Sequence, residues 1–335
     1  MKKEIILILI LSIFFLKCND NNLDIDISNI NINLKIKRLE KDLFENKDSN
    51  LSELIIFLQK KYGNFLELYN NRIIGIGSSN NKNYSIYLQR FLTYDLNLEV
   101  YKEIKKDFSN LENLKKNLEN SFKHYKYHFP KKNIPEIYTF ISGLQSYSII
   151  TDVNMLGIAL DNYLGADYNF YKNIGIENYK IKNMYKEKIV SDCMNLWAKM
   201  EFPIPNSIEK LVYKMIYHGK ILYFLDAMKT SEEDFIKIGF TKKEIQFCEE
   251  NEKEMWTYMV ENKLLFSSKN ADERKFIKDS PFTNCFSKNS PGRTGIWIGW
   301  QIVRNYMQNN QEITIENLMK ENDFQKILRK SRYNP

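Results

Sequence analysis

The chain has 335 residues, 27% of them charged, a formal net charge of +7 and four cysteines. Its lysines are scattered among Asn and Ile, and no basic run is interleaved with base-stacking aromatics, which excludes a recognisable nucleic-acid-binding module. No C-x-x-C pair occurs, so neither a zinc ribbon nor a disulfide framework is encoded.

In chain order, Lys2 and Lys3 precede an apolar run, IILILILSIFFL at 5–16. Twelve residues are too few to cross a bilayer as a helix, which takes about 20, and fit the core of a signal peptide instead. Cys18 follows at the place where a bacterial lipoprotein is cut and acylated, although Lys17 stands where a small residue is usual. The expected organisation is a lipoprotein signal peptide at 1–17, a polar tether at 18–22 and one domain over 23–335. Residues 23–36 alternate apolar and polar, which predicts a half-buried strand, or two with a kink near Ser28–Asn29. The pattern turns helical over 51–68; Gly75, Gly77 and the polar run to Asn83 predict a loop. One or two amphipathic helices are expected over 97–128, ended by Pro130. Residues 136–163 are rich in β-branched and aromatic residues, with Gly143 and Asn154 as turn points, and form a second β region. Helices are predicted over 187–200, 207–228, 241–262, 293–308 and 313–329. Cys193 and Cys248 fall inside apolar helical patterns and are expected as buried thiols. The fold class is α+β, mostly helical with two short β regions.

Few residues offer chemistry. The stretch SPGRTGIWIGW (290–300) carries Gly292, Arg293, Gly295 and Gly299, but its spacing is neither a P-loop nor a dinucleotide fingerprint. It reads as a helix start, with Ser290 as cap and Pro291 in the first turn. Gly295, Gly299, Ile302, Val303 and Tyr306 then share one face and let another element approach closely. His124 and His128 have zincin ligand spacing, but Tyr125 stands where the general base belongs. His218 and Asp226 both fall on or beside the apolar stripe of the 207–228 helix and must find partners inside; a satisfied buried pair is favoured over a catalytic one. There is no G-x-S-x-G elbow. His218, Asp226 and Arg293 are the candidate pocket residues; no metal or other cofactor is expected.

Several segments together carry a resemblance: IYTFISGL (137–144), LGIALDNYLGADYNFY (156–171), IVSDCMNLWAKMEFP (189–203), MIYHGKILYFLDAM (215–228), NEKEMWTYMVENKLLFSS (251–268), PFTNCFSKNSPGRTGIWIGWQIVRNYM (281–307) and the ending LRKSRYNP (328–335). They resemble the gliding motility lipoprotein family GldB of the Bacteroidetes over nearly the whole chain past Cys18. The resemblance implies a lipid attached at Cys18 and a non-enzymatic protein of the cell envelope. It further implies an anchor in the cell membrane or outer membrane, a periplasmic orientation, and partners in the gliding and secretion machinery. The family's plan is similar to predicted zinc metallopeptidases, which implies a zincin-like architecture. The helix that would carry H-E-x-x-H there corresponds to 189–200, which contains no histidine, so the metal site is expected to be lost. Two alternatives are a hydrolase built on His218 and Asp226, and a binding module for cell-wall glycan or peptide.

Overall fold

The computed structural model of the protein describes residues 23–144 and 148–335. The expected signal peptide at 1–17, the expected lipid-attachment residue Cys18 and the expected tether to residue 22 lie outside the described residues. The chain is α+β and mostly helical, and both β regions meet in one four-stranded sheet of order β1-β2-β4-β3. β1 (Ile36–Arg38) runs parallel to β2 (Glu136–Phe140), and β2 parallel to β4 (Met155–Ala159). β3 (Ile149–Asp152) forms an antiparallel hairpin with β4. Gly143 (φ 73°) and Asn154 (φ 61°) adopt the left-handed conformation, at the two predicted turn points.

The first β region is much shorter than its alternation predicts. Leu23 and Leu34 are buried while Asp24, Asp26 and Lys35 are exposed, yet residues 23–35 pair with no strand. A turn at Ser28–Asn29, closed by Ile30 N–H donating to the Ile27 carbonyl at 3.1 Å, interrupts the run. Alternating burial had no neighbouring strand to pair with, and only 36–38 reach the sheet.

Between β1 and β2 lie α1 (Leu39–Glu45), α2 (Leu51–Tyr62), α3 (Asn64–Leu68), α4 (Tyr84–Thr93), α5 (Asp95–Asp107) and α6 (Glu112–His128). The helix predicted over 51–68 divides at Gly63, whose φ of 48° favours glycine. α1 and α4 are not among the predicted helices; they are short and held by packing of Leu39, Leu43, Leu88 and Leu92 rather than by propensity. After β4 come α7 (Phe170–Asn173), α8 (Asn178–Ile181), α9 (Ile189–Glu201), α10 (Leu211–Met228), α11 (Asp234–Ile238), α12 (Lys242–Glu250), α13 (Glu252–Glu261), α14 (Asn270–Phe276), α15 (Thr294–Asn309), α16 (Ile315–Lys320) and α17 (Phe324–Ser331). The single helices predicted over 241–262 and 313–329 are each two helices.

β2 is buried on both faces, as a strand inside a parallel sheet requires. Phe65 stacks on Tyr138 with ring centroids 3.9 Å apart. A side chain at Gly157 of β4 would collide with the Phe65 ring at 2.9 Å, so glycine makes room for that stack. On the other face Thr139 donates to the buried Glu40 carboxylate at 2.7 Å, which Arg38 also holds at 2.8 Å. α9 covers β3 and β4, and α10 lies against α9, α6 and α15. Cys193 and Cys248 are free and fully buried, as expected.

The tightest seam is between α10 and α15. A Cβ on Gly299 would lie 1.9 Å from the Met215 carbonyl oxygen, and one on Gly219 2.1 Å from the Gly299 carbonyl oxygen. Gly295 is closed off by the Phe276 carbonyl at 2.8 Å. The glycines of 290–300 serve close approach of backbones.

Candidate functional site

α9 buries Ile189, Val190, Cys193, Met194, Trp197 and Ala198. What remains is a polar stripe at 4-3-4 spacing, Lys188, Asp192, Asn195 and Lys199, on one side of the helix. α10 presents His218 to that stripe, α11 presents Lys237, and the residue before α15 presents Arg293. Together they line a cavity of about 120 Å³. It meets a second cavity, of about 210 Å³, at Lys188, Asp192, Ile238 and Arg293; the second extends past Tyr179, Lys182 and Asp279.

Three of the four cations in the inner cavity have carboxylate partners. Lys188 holds Asp192 at 2.6 Å, and the Tyr163 hydroxyl donates to the same carboxylate at 2.9 Å. Arg293 reaches Asp279 at 3.0 Å and donates from Nη2 to the Ile238 carbonyl at 3.0 Å. Lys237 holds Asp226 at 2.8 Å. Lys199 differs: among the described residues no carboxylate lies within 4 Å of its ammonium, and it makes no hydrogen bond. Burial lowers its pKa and the neighbouring Arg293 adds to the effect, while Asp192 and Asp279, each already paired with another cation, oppose it from beyond ion-pair distance. His218 likewise makes no hydrogen bond among the described residues; burial, then Lys199 and Arg293, push its pKa down to about 3, so the ring is neutral.

The structure brings His218 and Arg293 to one cavity but places Asp226 elsewhere. Eight residues along a helix separate His218 and Asp226 by about 12 Å, so the expected buried pair does not form. Asp226 is 5% exposed and accepts from Lys237 at 2.8 Å, from Trp300 Nε1 at 2.9 Å and from Arg304 at 2.9 Å through both Nε and Nη2. Arg304 also clasps Asp234 at 2.6 and 2.9 Å and lies over the Trp300 ring at 3.8 Å. With every acceptor direction occupied, Asp226 has no free lone pair for a general base. A hydrolase built on His218 and Asp226 lacks its dyad.

The opening of α15 differs from its prediction. Ser290 caps no helix; its Oγ accepts from Thr283 N–H at 3.2 Å and donates to the Thr283 carbonyl at 3.3 Å. Pro291 lies in the same bridge, its carbonyl accepting Thr283 N–H at 3.0 Å, and α15 begins only at Thr294. The loop is drawn back toward residue 283, which leaves Gly292 against the Ser280 carbonyl, where a Cβ would come within 2.1 Å. Arg293, in the helix-entry position, is left-handed with φ 59°. That conformation costs a non-glycine residue roughly 1–2 kcal/mol, offset here by the bonds of its side chain.

His124 and His128 occupy the last turns of α6. Burial pushes the His128 pKa down to about 4 and lowers that of His124. His124 Nδ1 and His128 Nε2 have no partner among the described residues, and no group of three or more His, Cys, Asp or Glu there is placed to hold a metal ion. No helix among the described residues is long and apolar enough to cross a membrane.

Sequence reasoning missed Lys188, Asp192, Asn195 and Lys199 as a set. The signal was available: a four-residue polar stripe on a helix whose other positions are mostly apolar.

Residues 20–335 match the family described as gliding motility protein GldB. The chain belongs to that family. The match covers all the described residues, and with it every segment that carried the resemblance; Cys18 stands just before it. No curated protein and no solved structure matches the chain. As a GldB-family member it is a gliding-motility-related protein of a lipoprotein family. The cavity around Lys199 and the Asp226 cluster both lie within the GldB match.

Proposed function

We propose that this GldB-family protein is a non-enzymatic component of the cell envelope, anchored by lipid at Cys18 and facing the periplasm, that supports gliding motility and the protein secretion coupled to it. The observation that carries the reading is the family match across residues 20–335. The saturated state of Asp226 favours a non-catalytic role, because the one acidic residue among His218, Asp226 and Arg293 is engaged in structure. The zincin relationship belongs to the same proposal: α9, α10 and the glycine-bearing α15 follow in the expected order, and α9 holds Ser191, Asp192, Cys193 and Asn195 where histidines would be required. Its partners are other proteins of the gliding and secretion machinery.

The anchor is tested by fractionation. Cys18→Ala should release the protein into the soluble fraction or leave an uncleaved precursor, since stable attachment depends on more than one acyl chain. Normal processing with unchanged membrane partition would overturn it. A metallopeptidase would instead co-purify one equivalent of zinc and lose thermal stability on chelation.

A second reading, a binding module for a peptide or related cell-wall component, is favoured by one observation. A preformed polar cavity holds a cation without a counter-ion.

A further inference from the structure

The α9 stripe and the residues facing it pose a question of charge. Lys188, Lys237 and Arg293 each have a carboxylate within ion-pair distance. The Asp226 cluster is internally balanced, two carboxylates facing Lys237 and Arg304. His218 is neutral. What remains at the inner cavity is a single positive charge on Lys199. Lys199 is half-buried, and a charge partly withdrawn from water loses hydration unless a partner restores what water gave. The missing partner here is one negative charge.

We infer that the inner cavity binds a carboxylate, with Lys199 as its counter-ion and His218 and Asn195 as neutral hydrogen-bond donors. Charge and size decide between carboxylate and phosphate. One carboxylate neutralises the single uncompensated ammonium, whereas a phosphate carries about −1.5 to −2 and would leave excess negative charge beside Asp192. At about 120 Å³ the cavity has room for the carboxylate and a small side chain; the adjoining 210 Å³, past Tyr179, takes the next part of the ligand. The combined space is that of a small-molecule site at the lower end of the usual range. It suits the end of a chain, not the middle of a polymer. The ligand is therefore a free small organic acid or the C-terminal carboxylate of a peptide. The site stands independently of whether Cys18 carries lipid.

The experiment compares acetate, N-acetyl-Ala-Ala as the free acid, and the same dipeptide as its C-terminal amide, at matched ionic strength in chloride buffer. Thermal unfolding and calorimetric titration are the readouts. A ligand that binds only the folded state raises the midpoint, and the dipeptide acid at ten times its Kd should raise it by about 2 °C; the amide should give no shift. Acetate binding within threefold of the dipeptide acid identifies a free small acid as ligand. A dipeptide acid at least tenfold tighter, with that gain lost in Tyr179→Ala, identifies a chain terminus. Lys199→Met should raise the ligand-free midpoint, because it removes an uncompensated charge, and should abolish the shift with acid. Should it fail to fold, Lys199→Gln serves the same purpose. Equal shifts by acid and amide, a shift by inorganic phosphate in place of both, no shift by either acid, or an acid shift that survives loss of Lys199 would each overturn the assignment.

Discussion

Asp226 and Lys199 are both charges set between the same helices, and the structure treats them in opposite ways. Asp226 accepts four hydrogen bonds from Lys237, Trp300 and Arg304. Lys199 has no ion pair and no hydrogen bond among the described residues, and lies beside a neutral histidine at a cavity. A charge surrounded by partners is part of the framework and has nothing left to offer a ligand. A charge left without one marks where the framework expects something from outside. The difference in partners, beside a difference in burial (Asp226 buried, Lys199 half-buried), separates the two charges within a single set of helices.

That comparison depends on the seam that fixes α10 against α15, so the largest expected effect is there. Gly299→Leu would drive a side chain into the Met215 backbone. The cost should exceed the ~1–3 kcal/mol usual for overpacking, because backbone cannot rotate away as a side chain can. Loss of the cooperative transition in thermal or urea unfolding is the expected result. A variant as stable as the wild type would show the seam to be loose, and both charge environments would then lose their fixed geometry.

Asp226→Ala comes next. It leaves the buried Lys237 and the half-buried Arg304 beside each other with only Asp234 between them. Breaking a buried pair by removing one partner costs about 3–5 kcal/mol, and chemical denaturation should report a loss in that range. A loss below about 1 kcal/mol would mean that the Asp226 cluster is no more structural than the Lys199 cavity, and the contrast would fail.

The smallest effect is a pH dependence. In the folded state the His218 pKa is pushed down to about 3 by burial, with Lys199, Arg293 and Lys278 in support and Glu273 opposing; its ordinary value is about 6.5. Between those values the unfolded chain binds a proton that the folded one refuses, so stability is full above pH 6.5 and falls as pH decreases toward 3. His218→Asn should remove a slope of at most about 1.4 kcal/mol per pH unit. His128, pushed to about 4, contributes to the same window and remains in that variant. Urea unfolding of wild type and variant at pH 7, 6, 5 and 4 should therefore give diverging curves. Parallel curves would show that His218 is charged or solvated, and would remove the neutral donor from the cavity.

Much of the framework was legible because it is written in local periodicity. The shared face of Gly295, Gly299, Ile302 and Val303 follows from helical spacing, and the buried thiols Cys193 and Cys248 from the apolar patterns around them. Sequence pattern could not show where helices divide under tertiary packing, as at Gly63 and Asn251. Nor could it show that residues 23–35 would find no strand to pair with. The site was legible by halves. His218 and Arg293 were singled out and do share a cavity, but the pairing of His218 with Asp226 was an inference from one helix stripe. Arg304 lies 78 positions from Asp226 in the chain, and no local rule announces that contact. Lys199 carries no metal-ligand signal of its own; the information lies in the spacing of the Lys188-Asp192-Asn195-Lys199 stripe on α9.

The contact of Gly219 with Gly299 has a consequence in time as well as in energy. It joins two long helices, backbone to backbone, just beside the cavity that His218 and Arg293 help to line. A side-chain interface can breathe by rotamer changes; two abutting main chains have no such freedom. The walls on α10 and at the start of α15 are thus in place before anything arrives. A ligand entering there needs no opening or closing step, so its association should be single-exponential and linear in concentration, and differences in affinity among ligands should appear in how fast they leave.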